Sequence, residues 1–462
     1  MSKLRPLILA TVLASSFGAA FGQVEIPSET LDELERARAL LSEQQDRFGP
    51  MDARLIEPIE QLADQLIALN QFEEAHGLLD RAMQITRIED GLYTELQRPL
   101  LRKKVENFAD RGQWDSAREH MEHLFWLYAE KSTRIDQDLI EDLLELSRVH
   151  LRGLAEDNGS LQGYHFRRSA QIRWIALGVA KTLWGESDER LAPIVYEQLR
   201  QLHLQTVALW NGGGTSYALR QVAPGSAIMQ DRSDVDELFY VTGIGLINDL
   251  NGVYALGETP DPEGVAMTKV YLGDWHILYG RAELAMQTYR AAYQELLAAG
   301  LAPELVDEYF AQPMVIPDTG FYANVESALT AQRDKLVTEE NGDSGTYLSF
   351  NEWSSAMPDV RNPLASHVPD EQDLDSNFAL FSFSLAGVNK VSRWYSHRFV
   401  STVNMIEQVE LLSHYLESPP EELQLVDKLN SLTFRPKLVG GEPQQATGRL
   451  KYHFADGSWQ SY

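Results

Sequence analysis

Cysteine is absent from all 462 residues of the chain. That excludes disulfide staples, thiolate nucleophiles, cysteine-ligated zinc and a lipid attached through an N-terminal cysteine. Positive charge is scarce as well: 40 Lys and Arg stand against 68 Asp and Glu, a net charge of −28. The deficit is uneven. Residues 1–22 contribute +2 and residues 376–462 carry eight charges of each sign, so residues 23–375 hold −30. Such a body repels phosphate backbones and anionic lipid, which argues against nucleic acid as a partner and for a well-solvated surface. Long apolar runs are also missing. Beyond residue 22 no stretch reaches the ~20 apolar residues that a bilayer span needs, so no membrane span is expected there.

What is present begins with a leader. Lys3 and Arg5 precede an apolar run from Leu7 to Ala14, and Ala20-Phe21-Gly22 stands before Gln23. A basic region, a short hydrophobic region and a small-x-small site make the pattern of a secretory signal peptide over residues 1–22. The run is too short, and too diluted by Ser15, Ser16 and Gly18, for a retained anchor. The expectation is export, cleavage and a soluble periplasmic protein. With 44% hydrophobic and 23% charged residues the remainder is ordinary globular material, long enough for two or three units.

From about Leu31 the pattern is amphipathic helix with short connections, and it repeats. Ile59-x-x-Leu62-Ala63-x-x-Leu66 leads to Asn70-x-Phe72-x-x-Ala75-x-x-x-Leu79-x-x-Ala82. Leu101, Val105 and Phe108 lead to Gly112-x-Trp114-x-x-Ala117-x-x-x-Met121-x-x-Leu124. Leu272-Gly273-x-x-His276 leads to Gly280-x-Ala282-x-x-Ala285-x-x-x-Tyr289-x-x-Ala292. Gly112 and Gly280 fall where a turn needs backbone freedom, and Ala63, Ala75, Ala117, Gly273 and Ala285 where two helices must approach closely. This spacing resembles the tetratricopeptide repeat (TPR), a pair of antiparallel helices. The first two copies lie 42 residues apart, longer than that family's period, so the implied α-solenoid is irregular. Residues 136–154, 163–184 and 189–210 read as further helices, the last stopped by Asn211-Gly212-Gly213-Gly214. The TPR-like domain is placed at 23–336.

Residues 337–375 turn acidic and rich in proline and glycine, and read as a linker. Then the period falls to two. Phe381-Ser382-Phe383-Ser384-Leu385 alternates as a strand, Gly387-Val388-Asn389 turns, and Lys390 to Ser396 can return beside it. An amphipathic helix is expected over about 400–415, and a second from the capping box Ser418-Pro419-Pro420-Glu421 through Leu432. Phe434 to Val439 reads as a strand, Gly440-Gly441 as a turn, and Gln445 to Phe454 as the last strand, with Leu450, Tyr452 and Phe454 facing in and Arg449, Lys451 and His453 facing out. The capped helix running into Phe434-Arg435-Pro436, then Gly440-Gly441-Glu442-Pro443 and a strand ending Tyr452-His453-Phe454, resembles the carboxy-terminal domain of TonB-type energy transducers. The resemblance covers residues 376–456 and implies a small α+β domain offering a sheet edge to a receptor segment, which makes Arg449, Leu450, Lys451 and Tyr452 candidate partner-binding residues. Unlike a transducer, the chain is expected to lose its N-terminal segment and so to keep no membrane helix, and it lacks the long proline-rich spacer.

Sites for chemistry are few. Glu119-His120-Met121-Glu122-His123 sets two histidines three apart, but without the His-Glu-x-x-His order or an evident third ligand it reads as a solvated helix face. The glycine run after Trp210 lacks a phosphate-loop ending, Gly243-Ile244-Gly245 lacks a third glycine, and Asp370, Asp373 and Asp375 miss the calcium-loop spacing. Trp126, Tyr128, Trp174, Trp184, Trp275 and Tyr279 are expected mostly between helices. The expectation is therefore a mainly α chain, an irregular TPR-like solenoid with a TonB-like tail, without cofactor, metal or catalytic residues, binding a protein or peptide of the cell envelope. Two alternatives stand beside it: an accessory of TonB-dependent transport acting on its receptors, and an enzyme processing envelope glycan or peptide with paired carboxylates.

Overall fold

The computed structural model describes residues 28–131, 135–210, 232–257, 259–338, 346–351, 378–385, 391–395, 398–402, 406–415 and 432–453. The leader at 1–22, the glycine run after Trp210, the acidic loop around Asp373 and the capping box at Ser418 lie outside those residues. The chain is mainly helical, with small sheets toward its C-terminal end. It divides into two compact units, residues 1–100 and 101–462. No described helix is long and apolar enough to cross a membrane.

The first unit holds α1 (Ser28–Phe48), α2 (Ile56–Ala68) and α3 (Phe72–Asp90), and α4 (Gln97–Asp110) begins within it. Ile59, Leu62, Ala63 and Leu66 on α2 and Ala75, Leu79 and Ala82 on α3 are all buried, as a stripe at helical period should be. The second unit continues with α5 (Trp114–Trp126), α6 (Gln137–Glu156), α7 (Gln162–Trp184), α8 (Leu191–Trp210), α9 (Arg232–Ala255), α10 (Pro262–Leu278), α11 (Ala282–Ala298), α12 (Pro303–Tyr309) and α13 (Val325–Asp334).

The three repeated spacings fold alike. Asn70, Gly112 and Gly280 all take the left-handed conformation, with φ of 58°, 65° and 67°. In each case the next residue closes a bond back five positions: Gln71 N–H to Leu66 O (2.8 Å), Gln113 to Phe108 (2.8 Å) and Arg281 to His276 (2.7 Å). That is the Schellman closure of a helix end. The same residues, Gln71, Gln113 and Arg281, then start the second helix with ψ of 58–59°. Ala75, Ala117 and Ala285 follow fully buried. At Gly273 a β-carbon would stand 2.5 Å from the ring of Tyr289, so the close pairing of α10 with α11 requires glycine. Gly243, whose pair with Gly245 lacks the third glycine of a dinucleotide-binding motif, lies within α9 against the Trp275 indole, where a β-carbon would come to 2.0 Å.

The C-terminal part differs from expectation in three ways. Residues 337–375 are not wholly linker: β2 (Leu336–Thr338) and β3 (Thr346–Asn351) lie there and belong to a five-stranded sheet ordered β2-β3-β11-β4-β7, with β4 at Phe378–Leu385, β7 at Ile406–Tyr415 and β11 at Ala446–His453. The helix expected over 400–415 is instead extended, as the end of β6 (Arg398–Thr402) and β7 (Ile406–Tyr415) beside β4 (Phe378–Leu385). The cause is a pair of register shifts. Ser384 and Ser382 face Glu407 and Glu410, and Leu380 and Phe381 face Ser413 and Leu411. Each bulge inserts a residue, so a strand of period two carries apolar residues at helix-like intervals. Third, β5 (Val391–Tyr395) pairs with β6, not with β4. The Gly440-Gly441 turn forms as expected, joining β9 (Leu438–Val439) to β10 (Glu442–Pro443), and β11 covers Ala446–His453.

β8 (Thr433–Arg435) pairs with β1 (Met314–Ile316), which follows α12. This ribbon is buried from two directions. Ile316, with Leu438, joins the core of α6–α13, while Met314, Val315 and Phe434 join Phe381, Phe383, Leu450 and Tyr452 under the sheet.

The turns give a graded test. Gly280→Ala and Gly112→Ala should each cost about 1 kcal/mol, because alanine resists positive φ, whereas Asn70→Gly should gain a few tenths. Gly273→Ala should cost more, about 1–3 kcal/mol, through overpacking on Tyr289. Urea unfolding midpoints check the order; a neutral Gly280→Ala would contradict it.

Candidate functional site

Arg435 is the largest fully buried side chain among the described residues, 2% exposed, and it sits on β8 between apolar neighbours. A buried guanidinium requires a paired carboxylate, since an isolated charge in such a place is strongly disfavoured. Asp274 on α10 supplies it. Arg435 Nε donates to Oδ1 at 2.9 Å and Nη2 to Oδ2 at 2.5 Å, a two-pronged pair. Nη1 donates to the Tyr309 hydroxyl at 2.6 Å, and Tyr289 donates to Asp274 Oδ1 at 2.6 Å. The rings of Tyr309 and Tyr271 lie 5.3 and 5.8 Å from the guanidinium carbon. Burial opposes the charge on Arg435, but Asp274 together with the tyrosine hydroxyls more than offsets it and holds the group well above its usual range. Burial and Asp274 likewise push the Tyr289 phenol up, so it stays a donor.

This clamp fixes what surrounds it. Leu438 N–H donates to Phe310 O at 3.0 Å, and Glu442 pairs with Arg290 of α11 at 2.7 Å. Tyr271 OH donates to Gly320 O (2.9 Å) and accepts from Tyr322 N–H (3.0 Å), and Tyr196 OH donates to Asp318 O (3.1 Å). Lys335 reaches Asp318 Oδ1 at 2.5 Å. The loop before α13 is thus tied to α8 and α10.

The tie positions an open groove of about 880 Å³. Leu301, Leu305 and Tyr322 supply its apolar lining, and Asp261, Glu263, Glu326 and Asp334 its carboxylates. Asp261 caps α10 through the Glu263 N–H (3.0 Å), and Glu263 accepts the Val325 N–H at the start of α13 (2.7 Å). Two of the acids therefore serve helix ends, while Glu326 and Asp334 are exposed. The chemistry on offer is recognition of a cationic, partly apolar segment.

The strand expected to meet a partner is placed differently. Leu450–His453 pair with β3 on one side and β4 on the other, so Leu450, Lys451 and Tyr452 lie inside the sheet. Leu450 and Tyr452 face its core as expected, but Lys451 is buried as well, its ammonium 4.1 Å from the centre of the Phe378 ring. Arg449 is exposed and faces Ser382 of β4 in the register. Leu450, Lys451 and Tyr452 therefore do not form a free edge; β3, in the stretch read as a linker, covers it. Ala63, Ala75, Ala117 and Ala285 are buried, Gly112 and Gly280 take the left-handed turn conformation, and Gly273 lies against the Tyr289 ring. On α5, Glu122 binds Arg168 and Tyr164, and His120 bonds Ser116 O at 2.8 Å. No cluster of three metal-ligating side chains occurs among the described residues. Of the aromatics, Tyr128 and Trp275 are buried, but Trp174 is half exposed.

Sequence reasoning singled out Phe434-Arg435-Pro436 but not Asp274, 161 residues earlier. The one local signal is an arginine flanked by apolar residues, which asks for a distant acid.

No family model matches the chain, and no curated relative does. Among solved structures, the crystal structure of BtubC (BKLC) from P. vanneervenii is similar at 17% identity over 60% of this chain and 92% of that one, with a TM-score of 0.31. A likeness so loose places neither fold nor function.

Two outcomes follow from the buried groups. Asp274→Asn or Arg435→Met alone should cost about 3–5 kcal/mol, and the double change Asp274→Leu/Arg435→Met less than their sum, in a double-mutant cycle by urea unfolding. His203 and His276 are buried, and burial lowers both to about 4. They stay neutral in the fold while the unfolded chain takes up protons below its ordinary value of 6.5. Stability is therefore retained above that value and lost as pH falls toward 4, by about 3 kcal/mol for each group at the limit. Unfolding free energies between pH 7.5 and 4.5 check this; a flat profile would contradict it.

Proposed function

We propose that the chain is a non-catalytic, exported interaction scaffold of the cell envelope, built on TPR-like helix pairs and acting in the periplasm. The observation that carries this reading is the threefold recurrence of one turn, with Asn70, Gly112 and Gly280 at the same left-handed position and a buried alanine five residues later. Helix pairs repeated in this way stack by nearest-neighbour contacts and expose long faces suited to protein or peptide ligands. We read α6 to α9 as irregular helices of the second unit. We read the C-terminal sheet as an α+β module that closes its last helix pair through Arg435. This departs from a TonB-like tail, because β3 covers the edge that the receptor-linked alternative required.

The partner surface we assign is the groove between α10 and α13. A photo-reactive residue at position 326 or 330 in intact cells should give a discrete protein adduct that is absent from a probe at Glu283. Glu326→Lys with Asp334→Lys should remove most of it. Equal labelling at all three positions, or an adduct indifferent to charge reversal, would contradict the assignment. Export has its own check: N-terminal sequencing of the cellular protein should begin at Gln23, and a chain still beginning at Met1 would overturn the periplasmic part.

A further inference from the structure

His150 on α6 and His165 on α7 are both fully buried, with their Nδ1 atoms 3.1 Å apart. Asp157, the residue that ends α6, accepts from His165 Nε2 at 2.9 Å. That bond places the His165 proton on Nε2, so its Nδ1 must accept, and the single proton between the rings belongs to His150 Nδ1. His150 Nε2 is then a bare acceptor, buried and without a hydrogen-bond partner among the described residues. One neutral arrangement satisfies this chain from carboxylate to imidazole to imidazole. An added proton has two places to go, and neither is suitable. On His165 Nδ1 it would set N–H against N–H across 3.1 Å; on His150 Nε2 it would leave a buried N–H with no acceptor, whichever ring then carries the bridging proton and the charge.

The surroundings favour the neutral form. α5 contributes Arg118, which holds Asp157, and Glu122, which binds Arg168 and Tyr164 of α7. The Tyr164 ring lies 5.0 Å from His165 and 5.6 Å from His150, and Trp114 packs 5.9 Å from His165. Two arginines thus stand close, and each carboxylate is already committed. Burial lowers the proton affinity of both imidazoles, aided by Arg168 at His150 and by Arg118 at His165, where the Asp157 carboxylate opposes it without reversing it. The space is built for the ring: at Gly153 on α6 a β-carbon would fall 2.4 Å from His165 Cε1.

We propose that the α6–α7 hairpin is a proton-gated joint, closed while His150 and His165 are neutral and opened when acid charges them. The hairpin must part before either ring can take its proton, because the closed pair has no place for it. The device stands on its own geometry and does not depend on the scaffold reading.

The test is hydrogen exchange of the full chain at pH 7 and pH 5, corrected for the intrinsic rate. For an unfolded value of 6.5, each histidine that stays neutral when closed should increase opening by about 25-fold, or about 600-fold for the pair. α6 and α7 amides should lose protection on that scale, and the double variant His150→Gln/His165→Gln should remove the loss. Should the variant not fold, imidazole nitrogen shifts of the wild type decide the matter. Neutral His150 and His165 at pH 5.5 in the closed state support the joint. Titration near 6.5 with α6–α7 protection intact, or a double variant that keeps the full acid loss, overturns it.

Discussion

The buried pair between Arg435 and Asp274 determines how the second unit of this protein is organised. Asp274 lies on the first helix of a repeated helix pair, and Arg435 lies near the end of the chain on a three-residue strand. A guanidinium 2% exposed leaves no alternative conformation in which its charge is tolerated without a partner. Once it is seated, β8 must run beside β1, and β1 must stand between the helical core and the sheet. The C-terminal strands are therefore fastened to the helices through an interaction that specifies register. Its net contribution to stability is a separate matter, since desolvating both ions offsets most of their attraction.

The same site shows how a repeat can acquire a second use. Gly273 permits Tyr289 to approach, and that approach brings the Tyr289 hydroxyl to Asp274. The residue that lets α10 and α11 pack thus sits next to the residue that receives the tail. Tyr309 and Tyr271 complete the shell and link it to the loop before α13, which forms one wall of the acidic groove. Packing, tail docking and groove geometry are steps in one chain of contacts, so a change at Asp274 should reach all three.

Much of the helical part was legible in the sequence because its signals are local. A left-handed turn selects glycine or asparagine, and a close crossing selects alanine or glycine, so Gly112, Gly280 and Ala285 could be read in place, while Asn70 showed its turn role only in the structure. The strands were less legible. Bulges beside Gln408, whose φ is 52°, gave β7 a helical spacing, and β3 lay in a stretch whose acidic and glycine-rich flanks resemble a linker. Asp274 could not be found at all, because nothing near it announces a partner 161 residues away. Burial of Lys451 was missed for a similar reason: alternation assigns a face to a residue but does not show that Phe378 covers that face.

If Arg435 makes the tail and the last helix pair one structure, they must open together. Native-state hydrogen exchange across a urea series measures this directly, at the Phe434 and Arg435 amides and at amides in the middle of α10 and α11. The expected result is that all of them merge on a single isotherm with the slope of global unfolding. A separate isotherm for β8, with a shallow slope and a lower free energy, would mean that the tail comes away alone and that the clamp does not hold it.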